Sequence, residues 1–129
     1  MKITAHVESL AQGLDYHAAR QNVLASNLAN VDTPGYRAKD LARIDAFEGE
    51  LQTAMAQTDA AHMGTPAGGL DVRIETDDAT PAGADGNNVS LDREVVKIST
   101  NHVRYETVST LVSHELSTLL WAATDGRSG

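Results

Sequence analysis

The 129-residue chain has no cysteine, so disulfide frameworks, thiolate metal sites and thiol nucleophiles are all excluded. Bulky aromatics are almost as scarce: one Phe, one Trp and three Tyr. Together with many Ala, Thr, Ser and Asn, this favours helices packed closely along a seam over a thick globular interior. No apolar run approaches the eighteen or so residues of a membrane-spanning helix, and residues 1–13 lack the cationic start and apolar centre of a cleaved leader. Basic residues are outnumbered, 10 against 18 acidic, for a formal charge of −8. The excess is concentrated in residues 46–90, which hold one basic and eight acidic side chains. With no Lys/Arg stripe, neither nucleic acid nor an anionic membrane is an expected partner. No small-molecule substrate is expected either, since no catalytic set stands out.

What is present is helical periodicity at both ends. Steps of three and four connect Ile3, Val7, Leu10, Leu14, His17, Gln21, Leu24, Leu28 and Val31, a heptad stripe that needs a partner. His17 and Gln21 interrupt it. Polar residues in a seam set register or bond a neighbouring helix, and no second ligand stands near His17 at metal-binding spacing. Gly13 marks a close helix approach or a bend. The helix is expected to stop near Asn30, because Thr33 precedes a proline and Asn30 and Asp32 compete for the backbone. Pro34 and Gly35 then suit the second and third positions of a type II turn.

A second helix is expected over about 42–57 from Leu41, Ile44, Phe47, Leu51 and Met55. From Thr58 to Asn88 the composition turns to Gly, Pro, Thr and Asp, interrupted by the alternation of Leu70, Val72 and Ile74, enough for one short strand. So long a run is a functional loop or a segment ordered by a partner. Its acids do not form a calcium loop: counting from Asp85, Ser90 stands where glycine is required and Val96 where glutamate is. The last helix opens near Val89, with Ser90 able to cap it and Asp92 and Glu94 at its positive end. Its stripe runs Leu91, Val95, Ile98, His102, Tyr105, Ser109, Val112, Leu116 and Leu119, and Val96, Val103, Val108, Leu111 and Leu120 widen it beyond what one neighbour covers.

The expected fold is therefore mainly α: two long heptad-patterned terminal helices pairing as a coiled-coil-like layer, with a shorter middle helix and a long acidic loop. One domain comprises an N-terminal helix (1–32), a turn and short helix (33–58), a flexible acidic loop (59–88) and a C-terminal helix (89–124). Wide stripes left exposed by such a pair call for other subunits, and a repeated head-to-tail contact builds a tube or filament. No catalytic set is visible. The five histidines are scattered, no phosphate-binding glycine loop is present, and neither enzyme nor cofactor chemistry is expected.

Asn27-Leu-Ala-Asn-Val-Asp-Thr-Pro-Gly-Tyr-Arg37 resembles the N-terminal signature of the axial proteins of the bacterial flagellum, its rod and hook subunits. Asn87-Asn-Val-Ser-Leu-Asp-Arg-Glu94, then Asn101-x-x-Arg-Tyr105 and a Leu-rich run, resembles the C-terminal half of the proximal members of that rod family. The chain carries a few more residues between Asp40 and Phe47 than that pattern, and ends its helix unusually on Trp121-Ala-Ala-Thr124. The resemblance implies a structural basal-body rod subunit that assembles helically into a torque-transmitting driveshaft lining an export channel. It also implies export through the flagellar type III system, and partners among its own copies, other rod proteins, the rotor ring and the export gate. Asn27, Asn30, Asp32, Thr33, Pro34, Gly35 and Tyr36 would form the signature turn. Leu10, Leu14, Leu24, Leu28, Leu91, Val95, Ile98, Tyr105, Val112, Leu116 and Leu119 would pack subunits. The physical reading by itself leaves one rival, a soluble helical adaptor or regulator with the same hairpin.

Overall fold

A computed structural model describes residues 2–43 and 72–124, with side chains from residue 7 onward. It contains two long helices, α1 (Lys2–Ala29) and α2 (Leu91–Ala123), and two short strands, β1 (Lys39–Arg43) and β2 (Val72–Thr76). At 1.5 Å per residue the helices are roughly 40 and 50 Å long. Among the described residues the fold is mainly helical, with one two-stranded sheet.

The helices run antiparallel. Asn27 meets Glu94 near one end, His17 and Gln21 meet Asn101 in the middle, and a Cβ on Gly13 would lie 3.6 Å from Val108 Cγ1. Gly13 thus lies where the two helices approach closely. The line α2 turns inward is Glu94, Ile98, Asn101, Val108, Val112 and Leu119. Leu91, Val95, Leu116 and His102 from the expected stripe face outward. The apolar pattern and the inward line diverge because the elbow-proximal part of α2 buries a carboxylate and an amide, both hydrogen-bonded, where an apolar reading seats Val95 and His102.

Past α1 the chain reverses. Tyr36 N–H donates to Thr33 O at 3.2 Å and Gly35 has φ 73°, the bond and the left-handed third residue of the expected turn. β1 then runs back along α1 and pairs antiparallel with β2, Leu41 opposite Ile74. Val72 and Ile74 of the expected short strand lie in β2. Ala42 and Arg43, expected to open the middle helix, instead end β1; residues 44–57 lie outside the described residues. Backbone pairing with β2 and burial of Leu41 outweigh a weak helical stripe here. Ser90 is the N-cap residue of α2 with extended backbone, but its hydroxyl makes no capping bond; its carbonyl accepts the first helical bond, from Glu94 N–H at 2.9 Å.

Candidate functional site: a polar elbow and an exposed apolar stripe

Where α1 ends, the turn, β1, residues 77–88 and the start of α2 converge, and Asn27, Asn87, Asn88 and Glu94 are buried there beside Leu24, Ala38 and Leu41. Asn27 is fully buried. Its amide donates to Lys39 O at 2.6 Å and to Glu94 Oε2 at 2.9 Å, while its oxygen accepts Lys39 N–H at 2.9 Å and the Tyr36 hydroxyl at 3.4 Å. One side chain therefore joins α1, β1 and α2.

Asn87 closes the end of α1. Its amide lies 2.8–2.9 Å from the carbonyl oxygens of Asn30, Val31 and Thr33, just past the helix; Asn30 O and Thr33 O also accept from Thr33 N–H and Tyr36 N–H within the turn. Asn88 accepts Ala38 N–H at 2.6 Å and donates to Asp77 O at 2.8 Å. Gly35 N–H donates to Asp85 O at 2.9 Å, and Gly86, at φ 79°, approaches Gly35 so closely that a Cβ on it would lie 3.4 Å from Gly35 Cα. Residues 77–88, expected as part of a loop, are bonded along the elbow in this way. Farther along the seam, Asn101 donates to His17 O and Gln21 Oε1, both at 2.8 Å, and accepts from His17 Nδ1 at 2.8 Å. The polar break at His17 and Gln21 thus bonds the neighbouring helix. No buried side-chain polar atom among the described residues is left without a partner.

Charge is distributed as carefully. Arg20 grips Asp40 with two bonds, 2.7 and 2.8 Å. Lys97 contacts Asp77, lies 3.2 Å from Glu94 and 3.6 Å from Asp40, and Arg93 lies 3.6 Å from Asp77. Burial works to raise the Asp40 carboxyl, but the Arg20 bond, the Leu41 N–H and the nearby cations hold it below its ordinary value. The bond from Lys97 likewise holds Asp77 low against its partial burial. Burial works to lower Lys97, yet Asp77 and Glu94 hold its ammonium above the ordinary value.

Of the expected turn residues, Asn27 is buried, Asn30 and Tyr36 are half-buried, and Asp32, Thr33, Pro34 and Gly35 are exposed. Of the expected packing residues, Leu24 is buried; Leu10, Leu14, Leu28, Ile98, Val112 and Leu119 are half-buried; Leu91, Val95, Tyr105 and Leu116 are exposed. With Val96, Val103, Leu111, Leu120 and Trp121 the last group leaves much of the apolar surface of α2 open. Asn87, Asn88, Glu94 and Asn101 were not singled out from sequence for these bonds. The available signal was five asparagines in three segments that each border a helix end or seam. Among the described residues no group of three or more acids and histidines is placed to hold a metal, and no helix is long and apolar enough to cross a membrane.

An asparagine-stitched elbow joined to a long helix pair, with an apolar stripe open to neighbours, defines a structural assembly subunit. Residues 8–37 match the family model described as flagella basal body rod protein. The FlgB rod protein of Cereibacter sphaeroides is 36% identical over 87% of this chain and 88% of its own length; that of Escherichia coli is 28% identical over 92% and 93%, and that of Bacillus subtilis 25% over 94% and 95%. The chain belongs to the FlgB family of flagellar basal body rod proteins. It is a structural rod subunit of the flagellar basal body, assembled with other basal-body components, and not an enzyme.

Proposed function

We propose that this subunit occupies the proximal rod and that its two long helices form part of a coiled-coil-like inner layer of a helically assembled driveshaft. The observation that carries this reading is the outward apolar face of α2: Val96 is 65% exposed, Leu120 64% and Val103 60%. Apolar side chains left this exposed along a two-helix unit call for cover by neighbouring subunits. Copies of the chain and other rod proteins meet this face, and interlocked side chains share the torque between subunits. Leu10, Leu14, Leu24, Leu28, Ile98, Val112 and Leu119 stiffen the pair, while Leu91, Val95, Tyr105 and Leu116 contact neighbours. The turn at Asn27, Asn30, Asp32, Thr33, Pro34, Gly35 and Tyr36 sends the chain outward from this layer.

At the cell-proximal end the subunit joins the rotor ring and the export gate, and the layer it builds lines the export channel. It reaches that place through the flagellar type III system. The test is mass spectrometry of purified basal bodies from cells expressing the chain with a tag between residues 60 and 70. A low, fixed ratio to the rotor-ring protein is expected. Recovery only as a soluble protein, with normal motility in the deletion strain, would establish the adaptor reading instead.

A further inference from the structure

The ribbon formed by β1 and β2 buries little apolar surface against the helices. Leu41 is its one buried apolar residue, and Ile74, opposite it, is 61% exposed. What ties the ribbon down is polar: Asn27 on Lys39, Tyr16 Oη donating to Leu41 O at 2.9 Å, Arg20 on Asp40, and Lys97 of α2. The Lys97 ammonium is the point where three carboxylates from three parts of the chain meet. Asp40 comes from β1, Asp77 directly follows β2, and Glu94 lies one turn back on α2. Side-chain exposure at this point is 16% for Lys97, 16% for Asp77, 24% for Asp40 and 3% for Glu94, so water screens these charges only partly. Arg20 and Arg93 bring the cluster to three cations against three anions.

We infer that Lys97 is the positioning residue that docks the β1–β2 ribbon onto the helix pair, through a charge-controlled joint that opens independently of the α1–α2 seam. Beyond the elbow, where Asn27 bonds both Glu94 and Lys39, the seam has its own ties, at Asn101 with His17 and Gln21 and at Gly13 with Val108, and neither of these involves the ribbon. In sequence, residues 44–71 lie between the two strands of the ribbon. Lys97 sets the geometry between the ribbon and the helix pair. This inference rests on the docking geometry and is independent of the proximal-rod reading.

The test is hydrogen exchange of the full-length chain, read separately on peptides from 39–43 and 72–76 and on peptides from 13–21 and 101–112. Lys97→Met removes the charge and keeps most of the stem. It is expected to speed ribbon exchange at least tenfold and to leave the seam peptides within twofold of wild type. Lys97→Arg, which keeps the cation, should restore most of the protection. Raising salt to about 1 M, where the screening length falls to about 3 Å, should accelerate the wild-type ribbon and add little in Lys97→Met. Asp77→Asn, a milder lesion that leaves Asp40 and Arg20 in place, should give an intermediate ribbon-only effect. Equal acceleration of ribbon and seam, or a protected ribbon in Lys97→Met, would overturn the inference.

Discussion

Asn27 and Lys39 bond like residues on paired strands: the Asn27 side-chain amide donates to the Lys39 carbonyl at 2.6 Å, and its oxygen accepts the Lys39 N–H at 2.9 Å. A helix side chain thus imitates a peptide group and receives the first residue of β1. No buried aliphatic residue could do this, because the Lys39 backbone and Glu94 would lose their partners inside the elbow.

Replacing Asn27 by Ala is therefore expected to cost about 2–4 kcal/mol, the cost of leaving buried polar groups unmatched. Asn27→Asp should do worse. It removes both donors and sets a second carboxylate against Glu94, whose Oε2 lies 2.9 Å from the Asn27 amide nitrogen. Urea unfolding of the two variants measures this, and equal midpoints would contradict it.

Gly35 has a left-handed φ of 73°, and a Cβ there would meet nothing within 4 Å. The penalty for a side chain is thus conformational and should follow its tolerance of that region: Gly35→Asn least, Gly35→Ala about 1–2 kcal/mol, Gly35→Val most. In cells, Gly35→Val should impair rod assembly more than Thr76→Ala, as scored by motility on soft agar. Normal swimming with Gly35→Val would remove the turn from the list of assembly determinants.

Gly13 offers the opposite case. Its Cβ would make ordinary contact with Val108, at 3.6 Å, and its φ is not left-handed. Gly13→Ala should stabilise the chain by about 0.5–1 kcal/mol through helix propensity, visible as a higher thermal midpoint. A bulkier Gly13→Leu should lose that gain by forcing the helices apart.

Stability should fall on the acid side. Asp40 and Asp77 have folded pKa values below the unfolded 3.8, so near that pH the unfolded chain binds more protons and stability rises with pH. Their contribution is present in full above the ordinary carboxylate range and is lost as pH falls through the folded values. Lys97 lies above 10.5 when folded; its contribution is present below that value and is lost in stronger alkali. Urea midpoints should be flat between about pH 5 and 9 and drop below about pH 4, and Asp40→Asn with Asp77→Asn should flatten the acid limb.

The outward face of α2 separates folding from assembly. Val96 and Leu120 are mostly exposed, so Val96→Asp or Leu120→Glu should change the stability of the chain by no more than about 0.5 kcal/mol. The same variants should abolish incorporation into basal bodies, because a charge would be buried in a subunit contact. Wild-type incorporation would show that this face is not covered in the rod.

Much was legible without coordinates. Both long helices follow from heptad spacing, since burial of one face is a local, periodic demand. The stop near Asn30 and the turn at Pro34 and Gly35 follow from backbone chemistry that acts within four residues. Cysteine-free, acidic composition excluded whole classes of chemistry, and two motifs sufficed for the resemblance to rod proteins. Tertiary structure alone decided the rest. Whether Ala42 and Arg43 continue a strand or start a helix depends on β2, some thirty residues away. Which face of α2 turns inward depends on Glu94 and Asn101, polar residues that burial would exclude unless partners at Asn27, His17 and Gln21 were already in place. Periodicity reads what a segment demands of its own neighbours, whereas a buried amide is stable only through groups that distant segments bring to it.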